Sequence, residues 1–582
     1  MKKTMDRRQF LKYSAAGLAG IGLSTLNVPF FRMGKANAAL SGDAWCFGVM
    51  SDTQWEGRSG GKMTCATGII DVLNQQFIDH GCKFVIQVGD LCNDERVWGI
   101  RTMPTRANHT QALYDAGIGF FPCRGNHESS ASAARKFPEL FPQTRGYDNL
   151  FGAENIQAAY NEELHGLSYT FDYNNVRCIM IDQFTRKDGS NFNSKHEDDH
   201  NNNAVDQVPW VDDMLSSAPQ GFHSFVFSHK NLIGQSHKDN LFGGNVTSNT
   251  TARDAFITSL YRHGTGYYMG GHDHMHHRSL VSTSDGAYKV PQIITASNSY
   301  KFYTPKSRDD QGETPLQQEL YTIGYYIVTI DGPRVTVDFY SANHGQDYGS
   351  LHLDCCPSLS MFYLRERFGY SLNGDRFEIK QGDDYTGVIG SNAGTTAKIL
   401  DGTNSNTKTD STGRGLVKCV NTGWAQPAAT DNAAGMIFSL WGMTDNLSLW
   451  RSADTPLPAK DKSRATDTYA LSISFDHKKI DRSIFMKGGL AISARDGNGQ
   501  WVNAVDLNTG DSAKTFVKGP YNSRYGLGTY GVDPGSKTAW AVINHEGDFV
   551  VKHIEFTKQH GRTSHKGNKS SFFDPFKQPF QS

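Results

Sequence analysis

Net charge is nearly absent from this chain. Its 582 residues hold 58 lysines and arginines against 59 aspartates and glutamates, a formal net charge of −1. That balance excludes a generally basic surface of the kind that binds nucleic acid. Long apolar runs are missing too. Beyond the amino-terminal region no stretch approaches the ~18 uninterrupted apolar residues of a membrane helix. Cysteine is sparse, nine in all, and the odd number gives no disulfide framework. Cys355 or Cys356 could pair with Cys419. No internal repeat stands out. What is present, 38% hydrophobic and 12% aromatic residues with 59 glycines, describes a soluble, loop-rich globular protein long enough for two or three domains.

The amino terminus stands apart. MDRRQFLKYSAAGLAGIGLS carries Arg7-Arg8, then Phe10-Leu11-Lys12 and a mild apolar run, with Ala36-Asn37-Ala38 as a cleavage site. It resembles a twin-arginine export signal over 1–38, with Asp6 where serine or threonine is commoner. The apolar run is short and broken by Asn27 and Pro29, so cleavage is expected rather than anchoring. The resemblance implies the twin-arginine translocation machinery as a partner and a periplasmic or extracellular destination, reached after folding. No membrane span is expected once the signal is removed.

From residue 44 to about 345 strand-like and helix-like runs alternate. AWCFGVMSD, KFVIQVGD, IGFFPCRGNHE, VRCIMIDQF, FHSFVFSHK and GYYMGGHDH read as strands. TGIIDVLNQQFIDHG places Ile69, Ile70, Leu73 and Phe77 at helical spacing, and VDQVPWVDDMLSS and RDAFITSLYRHG read as helices. GYYIVTIDGPRVTVDFYSA contains an Asp-Gly hairpin signal. Such alternation predicts a layered α/β domain over 39–350, of the αββα sandwich type. Over 360–557 helices disappear, and runs such as TYALSISFD, GLAISARD and DFVVKHIEF predict a mostly β, sandwich-like domain. A polar tail, 558–582, closes the chain.

Five strand ends carry unusual polar residues: Asp52 and Gln54; Asp90 with Asn93; Asn126, His127 and Glu128; His229; His272 and His274. Sites in α/β sheets form beyond the carboxyl ends of strands. Alternation of side chains predicts that His272 and His274 converge on one point, while His276 and His277 lie further along a loop at the rim. Each dipeptide alone, GD or GN, is a common turn. Jointly and in order they predict a metal site.

The order D-x-Q, GD-x-x-N, GNHE, H, GH-x-H resembles the calcineurin-like metallophosphoesterase family over roughly 44–345. By that resemblance Asp52, Gln54 and His274 hold one ion, Asn126, His229 and His272 a second, and Asp90 bridges them. His127 is then the non-ligand histidine that protonates the leaving group. Asn93 and Glu128 lie behind the ligands. The implied cofactors are two divalent transition-metal ions, Mn, Fe or Zn, set ~3.5–4 Å apart around an activated hydroxide. Two ligand carboxylates against two dications leave the site near +2, a match for a phosphate anion. Two departures bear on chemistry. Gln54 stands where many members carry histidine, which weakens the first ion's hold. Asn93 stands where aspartate often orients the catalytic histidine, and Asp94 is a substitute.

Arg124 and Lys230 flank ligands and are candidates for contact with phosphate oxygens, or for structural ion pairs. Insertions at 185–206, 234–251 and 301–315 are expected on the rim, and HEDDH (196–200) reads as a solvated loop. The expected activity is hydrolysis of a small-molecule phosphoester by an exported metal-dependent phosphoric-ester hydrolase. A nucleotide or dinucleotide pyrophosphatase with the same site is the near alternative. A glycan- or envelope-binding protein with a vestigial metal site is the alternative of another class.

Overall fold

The structure, a computed structural model, describes residues 43–54, 65–93, 102–146, 150–185, 203–299, 301–306, 312–342, 362–380, 385–392, 394–403, 408–409, 415–416, 420–428, 432–441, 467–480, 489–510 and 512–554. The amino-terminal signal, the HEDDH stretch, Asp94, Cys355, Cys356 and Cys419 lie outside the described residues, as does the carboxyl-terminal tail.

Residues 43–342 form two sheets packed face to face with helices on both outer faces. The strands are β1 (Trp45–Met50), β2 (Phe84–Val88), β3 (Gly119–Cys123), β4 (Glu154–Ala158), β5 (Tyr169–Tyr173), β6 (Val176–Ile181), β7 (His223–Ser228), β8 (Tyr267–Gly270), β9 (His276–Ser282), β10 (Lys289–Ile294), β11 (Glu313–Glu319), β12 (Gly324–Asp331) and β13 (Arg334–Ala342). One sheet runs β3-β2-β1-β12-β13, with β1, β2 and β3 parallel. The other runs β11-β9-β10-β8-β7-β6-β5-β4, with β6, β7 and β8 parallel.

Alternating side chains explain the layering. Phe47 and Val49 of β1, Phe84, Ile86 and Val88 of β2, Phe225 and Phe227 of β7, and Met269 of β8 meet between the sheets. Phe47 stacks on Phe84 with ring centroids 4.8 Å apart. The intervening residues face outward. Met50 and Val85 pack under α1 (Thr67–Asp79), against Ile69, Leu73 and Phe77. Val226 and Tyr268 pack under α5 (Asn203–Ser216) and α6 (Thr250–Arg262), against Trp210, Phe256 and Leu260. Short helices α2 (Met103–Asn108), α3 (Gln111–Asp115) and α4 (Ala131–Leu140) complete the first outer layer. Strands buried on both faces read as near-continuous apolar runs, and each fully buried phenylalanine contributes about 1.5–3 kcal/mol. The αββα layering expected from the sequence is the one observed.

The first sheet does not stop at the expected domain boundary. Strand β14 (Phe362–Ser371) pairs antiparallel with β13, and the sheet continues through strands of the second half to thirteen among the described residues. Over its far end lies a five-stranded sheet including Phe438–Trp441, Leu490–Arg495 and Gly547–His553. Ile399, Leu471, Ile473, Val532 and Ala541 from the long sheet pack against Phe438, Leu440, Ile492, Phe549 and Val551. The second half is thus strand-rich and sandwich-like. Among the described residues no helix is long and apolar enough to cross a membrane.

Candidate metal centre

Parallel β1, β2 and β3 of one sheet and β6, β7 and β8 of the other direct their carboxyl ends to one edge, where the loops after them interlock. Asp52 N–H donates to Gly89 O at 3.2 Å, and Gln54 N–H to Asp90 O at 3.1 Å, tying the loop after β1 to the loop after β2. The carboxylate of Asp52 accepts from Ser51 Oγ (2.6 Å) and from the His272 N–H (3.1 Å), which links the two sheets. Glu128 accepts from the N–H groups of Cys92 and Gly125, both at 2.9 Å, joining the loops after β2 and β3.

These loops turn tightly. Asp52, Asp90, His272 and His274 have φ of +50°, +44°, +70° and +53°. The left-handed region costs a non-glycine residue about 1–3 kcal/mol, and such strain concentrates at functional sites. The convergence of His272 and His274 therefore has a different origin from the one expected. Both lie beyond the end of β8 at Gly270, and left-handed turns, not strand alternation, aim them. Glycine is required alongside. A Cβ on Gly125 would lie 2.1 Å from both the N and Oδ1 of Asp90, and one on Gly89, at φ +81°, would enter the His229 ring.

All seven expected ligands are buried and gathered in two lobes that share Asp90. Ligand atoms of Asp90, His229 and His272 lie within 4.8 Å of one another, as do those of Asp52, Asp90 and His274. In the first lobe His229 Nε2 is 3.0 Å from Asn126 Oδ1 and 3.3 Å from Asp90 Oδ1. In the second His274 Nε2 is 3.3 Å from Asp52 Oδ1 and 3.0 Å from the Gln54 amide nitrogen, which also reaches Asp90 Oδ2 at 2.8 Å.

The donor set fits divalent ions. Nδ1 of His229 faces Val88 O at 2.9 Å, and Nδ1 of His274 faces Lys301 O at 2.6 Å. A carbonyl only accepts, so each Nδ1 carries the proton and each Nε2 points inward, the arrangement common to metal-binding histidines. Gln54 Oε1 is buried in the centre without a hydrogen-bond partner, and His272 Nε2 is buried with only Asp239 Oδ2 before it, at 3.4 Å. A half-turn of the Gln54 amide exchanges its oxygen and nitrogen and brings Oε1 to the shared point.

Electrostatics agree. Burial, with Asp90 adding to it, pushes the Asp52 carboxyl up to about 7. Burial also lowers His272 to about 4 and His274 well below its usual range, leaving neutral imidazoles. Burial opposes a charge on His229, yet Asp90 and Asp52 raise it to about 9. A proton on His229 thus supplies the positive charge that two close carboxylates demand, and a cation can replace it.

His127 stands at the edge of this cluster, 3% exposed, with its N–H donating to Asp90 Oδ1 at 3.0 Å and its Nε2 3.8 Å from Asp90 Oδ2. Glu128 sits behind, its carboxyl pushed up to about 7 by burial and by Asp90. Asn93 is buried nearby, and its carbonyl accepts from Thr102 Oγ1 at 2.7 Å.

For Arg124 and Lys230 the structure favours the ion-pair alternative over phosphate contact, and for His276 and His277 the expectation needs correction. Arg124 is wholly buried: its Nε donates to Asp182 Oδ2 at 2.5 Å, Nη1 to Glu128 O and Nη2 to Thr185 Oγ1. It is a strut under the Asn126–Glu128 turn and has no surface to offer substrate. Lys230 is equally buried and donates to Asp239. His276 and His277 are not rim residues. They belong to β9, where His276 Nε2 meets Glu366 at 2.9 Å and His277 Nε2 meets Glu313 at 2.9 Å.

Other residues of the site were not visible in the sequence. Asp239 Oδ2 lies 3.4 Å from His272 Nε2. His237 stacks on His272 with centroids 4.0 Å apart and is held by Asp273 at 2.7 Å. Tyr303 packs edge-on to both His237 and His274. All but Asp273 come from the insertions 234–251 and 301–315, whose position on the rim was legible but whose individual contacts carried no signal.

Residues 47–276 match the family model described as calcineurin-like phosphoesterase. No curated protein matches the chain. Among solved structures, one titled "Structure of PhoD" is similar at 12% identity, covering 58% of this chain and 71% of that one with a TM-score of 0.38. A purple acid phosphatase from yellow lupin (Lupinus luteus) seeds is similar at 13% identity, covering 54% and 56% with a TM-score of 0.35. A dimetal phosphatase from Danio rerio is similar at 14% identity, covering 50% and 95% with a TM-score of 0.34. With the matched segment spanning both sheets and the candidate ligands Asp52, Asp90, His229, His272 and His274, residues 47–276 constitute a calcineurin-like metallophosphoesterase domain, that of a metal-dependent phosphoester hydrolase.

Proposed function

We propose that the protein is an exported dinuclear phosphoric-ester hydrolase acting on phosphomonoesters or phosphodiesters outside the cytoplasm. The observation that supports it most is the pair of lobes around Asp90, each holding a histidine from the 270–277 segment. In this reading Asp52, Gln54 and His274 hold one ion, Asn126, His229 and His272 the other, and Asp90 serves both. When bound, the ions supply charge stabilisation for a phosphoryl group and an acidified water.

The remaining chemistry belongs to the chain. His127, fixed through its own N–H to Asp90, donates a proton to the departing ester oxygen, a role worth ~100- to 10,000-fold. Glu128 and Arg124 hold the turn that carries it. His237 and Tyr303 wall the entrance beside His272 and His274 and limit what approaches. Export rests on the Arg7-Arg8 signal.

The test uses protein recovered from the periplasm or medium of its own host. Metal analysis and turnover of p-nitrophenyl phosphate, bis-p-nitrophenyl phosphate and ADP-ribose are measured together. Two transition-metal ions per chain with hydrolysis of the first or second ester is the expected result. Preference for ADP-ribose would transfer the assignment to pyrophosphate bonds. A fully metallated protein that turns over none of them would overturn it.

A further inference from the structure

Away from the metal centre, at the amino-terminal end of β1, two thiols meet. Cys46 is the second residue of β1, and Cys82 lies in the turn between α1 and β2. Their Sγ atoms are 3.9 Å apart, and the Cys46 thiol also reaches His80 O at 3.5 Å. The backbone around both is pinned: Lys83 N–H donates to Cys46 O at 2.9 Å, and Cys82 N–H to Phe77 O at 3.1 Å. Cys46 is partly exposed, whereas Cys82 is buried.

We propose that Cys46 and Cys82 are a redox-modifiable pair that closes to a disulfide when the protein meets a pool of small-molecule or oxidoreductase disulfides. The geometry is close to that of the bond. β1 and β2 are parallel neighbours, and adjacent strands stand ~4.8 Å apart. Cys82 directly precedes Lys83, the residue that pairs with Cys46, and the two Sγ atoms at 3.9 Å already face each other, against about 2.05 Å in a formed disulfide.

Reactivity is divided between the two thiols. The hydrogen bond with Cys82 lowers the Cys46 thiol, with Lys83 assisting against burial. Burial pushes the Cys82 thiol well up. Cys46, the less buried thiol and the one whose ionisation is favoured, therefore attacks as its thiolate an external disulfide R–S–S–R, expelling one R–S⁻ that takes up a proton. Cys82 then loses its proton and attacks Cys46 Sγ, expelling the second thiolate. Two protein thiols become one disulfide and R–S–S–R becomes two R–SH, so atoms and electrons balance. The ring so closed encloses Asp52, Gln54 and α1, and it ties together the starts of the two strands whose far ends carry Asp52 and Asp90.

The experiment uses full-length metallated protein, reduced, freed of reductant and then exposed to glutathione disulfide. Denaturation in an alkylating agent without reductant, then peptide mapping, reads the outcome. The expected product is a cross-linked peptide pair containing residues 46 and 82, lighter by two hydrogens than the reduced pair. The thermal midpoint should rise by roughly 5 °C relative to the reduced protein. Cys46→Ser should abolish both the cross-link and the shift while leaving metal content and ester hydrolysis unchanged. Cys82→Ser should trap a persistent glutathione adduct on Cys46. Full alkylation of both cysteines in the wild type, or an adduct on Cys46 that Cys82 never resolves, would overturn the proposal. The wild-type map decides even if a variant fails to fold, and none of these readings depends on the phosphoesterase assignment.

Discussion

At the scale of the residue, the seven candidate ligands behave as a set because each solves a different part of one electrostatic problem. Asp52 and Asp90 are buried close together, and burial alone would protonate one of them. Neutral His272 and His274 offer lone pairs, and carbonyl partners orient Nε2 of His229 and His274 inward. His127→Ala should cut turnover of esters with poor leaving groups ~100- to 10,000-fold, with metal content unchanged. Esters with activated leaving groups should suffer far less, and equal losses on both would exclude a proton-donor role. Arg124 makes the opposite case. It lies next to the site in sequence, where phosphate contact and a structural ion pair are both open, and Asp182 claims it in the interior. Arg124→Ala should destabilise the fold by about 3–5 kcal/mol in denaturant titration. Any folded fraction should keep an unchanged KM, and a raised KM without loss of stability would return Arg124 to the substrate.

At the scale of the element, the strands deliver and the loops aim. β1, β2, β7 and β8 were readable because both faces are covered and each holds a mostly apolar run. The strand β9 was not readable. It starts with two histidines, and polar residues at a strand's start resemble a loop until Glu366 and Glu313 supply their partners. The aiming is done by left-handed residues and by close approach at glycine. Gly125→Ala should therefore push the Asn126–Glu128 turn off Asp90. Bound metal and hydrolysis should fall together by at least about tenfold, in the range seen when residues supporting metal ligands are altered, while circular dichroism stays that of the folded protein. Retention of full metal content would show that the turn can yield.

At the scale of the whole molecule, β14 joins the two halves. It hydrogen-bonds along β13, buries Phe368 between the sheets, and carries Glu366 to His276 and Arg278. Burial acts against ionisation of Glu366, but Arg278 and His276 hold its carboxyl below the usual range. A carboxyl depressed in the folded chain takes up protons more readily when unfolded. Its contribution to stability is thus complete above the unfolded value of about 4.3 and is lost as pH falls through that value toward the lower folded one. Glu366→Gln should lower stability at neutral pH by about 3–5 kcal/mol and flatten the acid limb of the unfolding curve. An acid limb as steep as wild type would place the sensitivity elsewhere.

The order of motifs, the alternation of strands and helices and the change of character near residue 360 are local properties, so the sequence by itself determined the αββα domain, the strand-rich second half and the identity of seven converging side chains. That the cations Arg124 and Lys230 are spent on internal ion pairs, why His272 and His274 converge, where His276 and His277 go, and that Asp239 and His237 lie against His272 and Tyr303 against His237 and His274 were decided only by tertiary structure. The physical reason is the same each time. A charge or a ring nitrogen is assigned by the partner that satisfies it, and for Arg124, His276 and His237 that partner lies 58, 90 and 36 residues away.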